Sequence, residues 1–112
     1  MSRSVYERIE DILDAIDRCQ RYVARLDSRD PDLVAMAEDA VMRNLQIIGE
    51  ATKYLPPEVT DAHPEIHWPQ IRGFRNILVH QYFGVDAETI REVVRDHLPP
   101  LADALGVHVV GR

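Results

Sequence analysis

Apolar side chains recur every three or four residues through the first half of this chain, and that spacing restricts it to packed helices. The first stripe comprises Val5, Ile9, Ile12, Ile16, Cys19, Val23 and Leu26, and the second comprises Val34, Ala37, Val41, Leu45, Ile48 and Leu55. A single apolar stripe is typical of an amphipathic helix. Asp30-Pro31 predicts the N-cap and first position of the second helix, and Pro56-Pro57 predicts its end.

The second half of the chain predicts shorter helices separated by helix-breaking residues. Residues 58–69 indicate a connecting segment with room for one helical turn. A third helix is expected to start near Trp68-Pro69 and to end at Gly84. Asp86 is placed to cap a fourth helix, which Pro99-Pro100 would kink or restart. We therefore expect an all-α, up-and-down bundle of four to five helices.

Length and composition suit one soluble domain. The chain has 112 residues, of which 46% are hydrophobic and 29% charged, so we expect a single domain over residues 1–112. Two long helices with wide stripes are more than so short a chain needs for its own core, which predicts a homodimer. No apolar run reaches the ~20 residues that span a bilayer, and the N-terminus lacks a secretory apolar core. A cytoplasmic protein without membrane contact is therefore expected, with its single cysteine, Cys19, in the core.

The acidic residues are unevenly distributed. The net charge of −6 argues against a long nucleic-acid groove, yet all 19 carboxylates lie outside residues 66–85. That window contains Arg72, Arg75, His67 and His80. It fits a small anion site, or alternatively a core helix that simply carries few charges.

The segment from Arg75 to Tyr82 carries the chemistry. Arg75 can hold a phosphate, His80 can transfer a proton, and the hydroxyl of Tyr82 can be modified. On a regular helix Arg75 and His80 lie roughly 140° apart, so only a helix end or a dimer cleft would bring them together. Asn76, one turn before His80, could orient the imidazole, whereas Tyr82 shares the face of Arg75. Alternatively, the segment is a buried helix with a few polar residues.

Such a site could cleave RNA without a metal. One imidazole would take the 2′-hydroxyl proton, a second would protonate the leaving 5′-oxygen, and Arg75 would stabilise the charge on phosphorus. Asn44 and Glu50 are either satisfied core groups, which we favour, or supporting partners of that site.

Other constellations are weaker. His63 and His67 have the spacing of two zinc ligands on a helix, but Pro64 disfavours a regular helix there, so no metal is expected. Tyr54 and Trp68 are interpreted as packing residues. No phosphate-binding glycine loop is present, and no cofactor is expected.

The chain resembles the HepT family of the all-α HEPN superfamily over residues 5–105. The resemblance is carried by Arg43-Asn44-Leu45-Gln46-Ile47-Ile48-Gly49-Glu50-Ala51, by Leu55-Pro56, and by Arg75-Asn76-x3-His80-x-Tyr82-Phe83-Gly84-Val85-Asp86. It implies a HEPN-type dimeric bundle and a metal-independent endoribonuclease toxin of a prokaryotic toxin–antitoxin pair. The residues matching the family's catalytic pair are Arg75 and His80, presented at a dimer cleft.

The resemblance also implies how such a toxin is controlled. The expected partner is an MntA-like nucleotidyltransferase antitoxin that transfers AMP from ATP to the motif tyrosine, here Tyr82. An AMP group there would lie on the face of Arg75 and block RNA by charge and volume. The alternative functions are a non-catalytic helical dimer that binds RNA or a nucleotidyltransferase, and a purely structural dimer.

Overall fold

The structure is a computed structural model that describes residues 4–74 and 87–109. These residues form only helices, turns and irregular segments, which confirms the all-α prediction for this part of the chain. The helices are α1 (Val5–Tyr22), a 3₁₀ helix (Val23–Asp27), α2 (Pro31–Thr52), α3 (Pro57–Thr60), α4 (Trp68–Arg72), α5 (Ala87–Asp96) and α6 (Leu98–Gly106). Dimerisation and the single-domain assignment stay predictions.

Helices α1 and α2 pack side by side and run in opposite directions. At one end the guanidinium of Arg8 lies over the ring of Tyr54, and further along, the Sγ atom of Cys19 lies 3.8 Å from the carbonyl oxygen of Val41. Cys19 is fully buried, as predicted, and burial raises the pKa of its thiol to about 12.

The ends of these two helices are fixed by side-chain caps. Ser4 and Glu7 form a reciprocal capping box at the start of α1, each side chain bonded to the other residue's backbone N–H. Asp30 caps α2 as predicted, because its Oδ1 accepts from the backbone N–H groups of Asp32 and Leu33. The first helix was expected to stay regular to Leu26, but its last turn tightens into the 3₁₀ helix after Tyr22.

The connection between α2 and α4 contains one short helix, as expected. Trp68 opens α4 where predicted, and its side chain is buried. The indole Nε1–H of Trp68 donates to the carbonyl oxygens of Thr60 and His63, both at 3.1 Å. Trp68 therefore ties the connection to α4 and is a packing residue, in agreement with the sequence interpretation.

Helices α5 and α6 close the core against α1. The helical conformation is interrupted at His97, and α6 begins at Leu98, one residue before the proline pair. Prolines fit there because the first-turn N–H groups of a helix have no intrahelical acceptor, and their loss costs little. The fully buried side chains of the core include Ile9, Ile12, Val41, Ile48, Leu98, Leu101 and Leu105. Across the described residues, no helix is both long and apolar enough to cross a bilayer.

Candidate functional site

The chemical motif predicted from the sequence lies outside the described residues. Arg75, Asn76, His80 and Tyr82 all fall within residues 75–86. Their convergence on one site, the supporting role of Asn76 and the modification of Tyr82 therefore stay predictions. The described residues on both sides of this segment show what the chain entering and leaving it is attached to.

Phe74, the residue immediately before the motif, is held in the core. Its side chain is buried, and its ring lies 6.4 Å from that of His97 in an edge-to-face arrangement. Behind it, α4 packs closely on α2 at Gly49, where an added Cβ would lie 3.1 Å from the carbonyl oxygen of Ile71 and 3.6 Å from the Cβ of Phe74. Because glycine has no side chain, it permits this close approach. The part of α2 around Gly49 is therefore the surface on which the chain leading into the motif packs.

Asn44 is a core group, as the favoured interpretation held, but it is only half satisfied. It is buried, and its Nδ2 donates to the carbonyl oxygen of Ala40 at 2.8 Å. Its Oδ1 accepts no hydrogen bond from the described residues. The buried Nε of Arg72 likewise has no acceptor among them. A role for Asn44 in supporting Arg75 or His80 is not tested by these contacts.

Glu50 lies beside an open cleft and not in the core. Its Oε1 accepts from Nζ of Lys53 at 3.1 Å, and both side chains are more than two-fifths exposed. An ion pair at this exposure contributes little to stability. The core-group interpretation is therefore wrong for Glu50, because its position on α2 lies outside the buried stripe.

The cleft beside Glu50 has a volume of about 570 Å³ and lies on the outer side of the α1–α2 pair. It is lined by Arg8, Arg43, Gln46, Ile47, Glu50, Ala51 and Tyr54. The guanidinium carbon of Arg8 stands 4.3 Å from the ring centre of Tyr54, a cation–π contact. Tyr54 is 61% exposed, so its ring packs on Arg8 at the surface and is not part of the buried core. Arg8 was not singled out from the sequence, and Arg43 was named only as part of the stretch that carries the family resemblance.

The histidines considered as metal ligands are not paired as their spacing suggested. His63 lies before a turn at Pro64, and His67 is the N-cap residue of α4, so they do not share a helix. Instead, Nε2 of His63 lies 2.8 Å from Nε2 of His108, and Nδ1 of His63 lies 3.3 Å from Oε1 of Glu65. If His63 donates from Nδ1 to Glu65, neutral His63 accepts at Nε2 and His108 is the donor. Within residues 4–74 and 87–109, no three His, Cys, Asp or Glu residues are grouped to hold a metal ion.

The comparison with family models identifies the chain's class. The model described as "Ribonuclease HepT-like" matches residues 12–107, and this match spans the motif from Arg75 to Tyr82. The chain belongs to the HepT-like ribonuclease family.

Curated relatives agree with this assignment. The chain is 36% identical over 101 residues to "Probable ribonuclease HepT" of Thermococcus cleftensis, covering 90% of this chain and 92% of that protein. It is 31% identical over 99 residues to "Putative RNase MJ1380" of Methanocaldococcus jannaschii, covering 88% and 91%. A further relative, "Putative RNase TTE0752" of Caldanaerobacter subterraneus, is 44% identical over 62 residues, or 55% of each chain. No solved structure gave a significant match.

Proposed function

We propose that this protein is a metal-independent endoribonuclease that cleaves RNA through Arg75 and His80. The observation that carries the proposal is the family match over residues 12–107, which includes the whole Arg75-to-Tyr82 motif. The ribonuclease names of the relatives support the same reaction class. The buried Phe74 and the close α4–α2 packing at Gly49 supply a rigid attachment for the chain that enters the motif.

The proposed reaction is an internal transesterification. The 2′-hydroxyl of RNA loses its proton to one imidazole and attacks the adjacent phosphorus, while the 5′-oxygen leaves with a proton from a second imidazole. A 2′,3′-cyclic phosphate and a 5′-hydroxyl result. Arg75 would stabilise the charge on the phosphate oxygens, and Asn76 would orient His80. Two imidazoles require two copies of His80, so the proposal includes a homodimer with the site at its cleft.

The decisive experiment compares motif variants with matched controls elsewhere on the surface. Arg75→Ala and His80→Ala should each lower RNA cleavage and the growth inhibition of an expressing cell by at least about 100-fold. The exposed Arg95, paired only with its neighbour Asp96 among the described contacts, supplies the arginine control, Arg95→Ala. The partly exposed His108, which lies outside residues 66–85, supplies the histidine control, His108→Ala.

The outcomes separate the alternatives. Both control variants should cleave RNA like the wild type, and cleavage should persist in excess EDTA. RNA binding by the wild type without any cleavage product would reject the enzyme and favour the non-catalytic binding module. Full activity of both motif variants would reject the assignment of Arg75 and His80.

We further propose that an MntA-like nucleotidyltransferase antitoxin controls the enzyme by transferring AMP to Tyr82. The phenolic oxygen would attack the α-phosphorus of ATP, releasing pyrophosphate and its proton. The support is the resemblance of the motif, since a bulky anion on Tyr82 would compete with RNA for Arg75. Incubation with the nucleotidyltransferase and ATP should add one or more AMP masses to the wild type. Tyr82→Phe should lose the modification at that position. Tyr54→Phe removes the hydroxyl of an exposed tyrosine just after α2 and should keep the modification.

A further inference from the structure

The cleft beside the C-terminal half of α2 brings two arginines and an exposed tyrosine together. It has a volume of about 570 Å³, and its lining includes Arg8 of α1, Arg43 of α2 and Tyr54 just after α2. Clefts of this size hold small ligands or parts of larger ones. We call it the arginine cleft, and the described contacts of its residues show which chemistry it can bind.

The ring of Tyr54 is held in place but is still open to a ligand. The guanidinium carbon of Arg8 lies 4.3 Å from the ring centre, so this cation covers one face of the ring. The side chain of Tyr54 is nevertheless 61% exposed, which leaves the opposite face in solvent. An oriented aromatic face is a surface on which any nucleic-acid base can stack.

The charges that line the arginine cleft favour an anion. Arg43 is exposed, and among the described residues neither Arg8 nor Arg43 forms an ion pair with a carboxylate. The carboxylate of Glu50 in the same lining accepts from Nζ of Lys53 at 3.1 Å. Two arginines and one carboxylate give the described lining a formal charge of +1, in a protein whose net charge is −6. A guanidinium in such a place is suited to bind a phosphate group.

Apolar side chains separate the arginine of α2 from the aromatic ring. Arg43, Ile47 and Ala51 are spaced four residues apart, so they follow one another along one face of α2. Together they extend over about 12 Å of the helix, and Tyr54 lies beyond Ala51. A nucleotide has its phosphate and its aromatic base at opposite ends of a sugar. The order of its parts therefore matches the order of the residues in the lining.

The arginine cleft adjoins the surface on which the chain leading into the motif packs. Glu50 in its lining follows Gly49, where an added Cβ would stand 3.1 Å from the carbonyl oxygen of Ile71 in α4. Neighbouring residues of a helix point about 100° apart, so α4 and the arginine cleft occupy adjacent faces of α2. A ligand in the cleft would therefore lie close to the point at which the chain enters the proposed catalytic segment.

We propose that the arginine cleft binds a nucleotide of single-stranded RNA beside the scissile phosphate, with its base stacked on Tyr54 and a phosphate held by Arg43. Arg8 supports the opposite face of the Tyr54 ring. The inference rests on the proposed function for the identity of the ligand, since the substrate of the ribonuclease is RNA. Stacking on a side chain requires an unpaired base, so the cleft binds single strands in preference to duplexes.

Binding is measured on an RNA that the enzyme cannot cut. A short single-stranded RNA with 2′-O-methyl groups has no attacking hydroxyl, so fluorescence anisotropy gives its affinity for the intact protein. Tyr54→Ala should weaken binding about tenfold through the loss of one stacked base, whereas Tyr54→Phe keeps the ring and should bind like the wild type. Tyr6→Ala is the matched control and should also bind like the wild type. Tyr6 is 46% exposed and lies about 200° around α1 from Arg8.

The salt dependence of binding tests the role of Arg43. Arg43→Ala should weaken binding about tenfold, because a hydrogen bond to a charged phosphate is lost. It should also reduce the slope of log K against log salt concentration by about 0.7, the value for one contact to a single-stranded phosphate. Tyr54→Ala should leave that slope unchanged, because a stacked base releases no counterion. Arg18→Ala is the charge-matched control: Arg18 is exposed on α1 and lies outside the residues that line the cleft, so neither affinity nor slope should change.

Three results would overturn the proposed subsite. The first is equal RNA affinity for the wild type, Tyr54→Ala and Arg43→Ala. The second is AMP bound as tightly as the RNA, which would mean that the cleft holds a free nucleotide and not the RNA chain. The third is a changed mass on light scattering together with the loss of binding, which would assign these side chains to assembly of the protein. We expect both variants to keep the wild-type mass.

Cleavage assays separate this inference from the proposed ribonuclease. Tyr54→Ala and Arg43→Ala should raise KM with little change in kcat, whereas His80→Ala should lower kcat. Cleavage by the wild type with an unchanged KM in both cleft variants would reject the cleft and leave the catalytic proposal standing. Binding of the 2′-O-methyl RNA that depends on Tyr54 and Arg43, in a protein that never cuts RNA, would confirm the cleft and reject the enzyme.

Discussion

Gly49 and Ile71 are in direct contact across two helices: a Cβ at position 49 would stand 3.1 Å from the carbonyl oxygen of Ile71. The same atom would be 3.5 Å from the carbonyl oxygen of Arg72. Backbone atoms of α4 cannot move aside as the end of a flexible side chain can. The short distance between α2 and α4 therefore requires a residue without a side chain at position 49. Ile71 and Arg72 come just before the motif that begins at Arg75. Packing at Gly49 therefore affects the chain that leads into the proposed site.

We predict that a side chain at Gly49 is destabilising, although helix propensity alone argues for the opposite. Gly49→Val should lower the free energy of unfolding by about 1–3 kcal/mol through overpacking, and RNA cleavage should fall with it. Gly106 supplies the control, because a Cβ there meets nothing within 4 Å. Gly106→Ala should be neutral or stabilising by up to about 1 kcal/mol. Urea unfolding of both variants measures the difference. A free energy of unfolding for Gly49→Val equal to that of the wild type would contradict the close packing of α4 on α2.

Cys19 should be inert in the folded protein. Burial raises the pKa of its thiol from 9.0 to about 12, so at pH 9 the reactive thiolate is almost absent. Ellman's reagent should label Cys19 only in urea. The same shift links stability to pH: the folded state holds the thiol proton more tightly, so this contribution is complete below pH 9 and is lost as pH rises towards 12. Cys19→Ser should flatten that part of the pH–stability profile, although it will lower stability overall.

The His63–His108 contact should show a measurable coupling. The two Nε2 atoms are 2.8 Å apart and join residues 45 positions apart in the chain. In a double-mutant cycle with His63→Ala and His108→Ala, we expect a coupling free energy of about 0.5–1.5 kcal/mol, the net value of one hydrogen bond. His67→Ala in place of His63→Ala should give a coupling near zero. Additive effects of His63→Ala and His108→Ala would show that the contact contributes nothing.

The chemistry of cleavage can be tested on the substrate. A single 2′-deoxynucleotide placed 5′ to the scissile phosphate should abolish cutting at that bond, because the attacking hydroxyl is gone. Bonds elsewhere in the same RNA should still be cut, and these provide the internal control. Mass spectrometry of the products should find cyclic phosphates. Cutting at the deoxy position with unchanged rate would exclude attack by the 2′-oxygen.

The periodic pattern of the sequence was sufficient for the helices because helix formation is governed by spacing and by local caps. Asp30 caps α2 and Trp68 opens α4 as their local sequences predicted, and the core stripe of α2 is buried. A new helix begins at Leu98, beside the proline pair that predicted an interruption. Each of these features depends on residues within one or two turns of each other.

The contacts between distant residues could not be predicted in the same way. Nothing local indicates that His63 meets His108, that Arg8 lies over Tyr54, or that Gly49 touches Ile71. Glu50 was interpreted as a core group and Tyr54 as a packing residue, whereas both side chains are largely exposed on a face of α2 that α1 does not cover.

The sequence by itself determined the helical class, the helix caps and the family-specific motif from Arg75 to Tyr82. Only the tertiary structure decided which helices cover the apolar stripe of α2, and that the face from Leu33 to Tyr54 stays open. The physical reason is that periodicity shows that a helix has apolar positions, but the partner that covers each of them is chosen by packing over the whole chain.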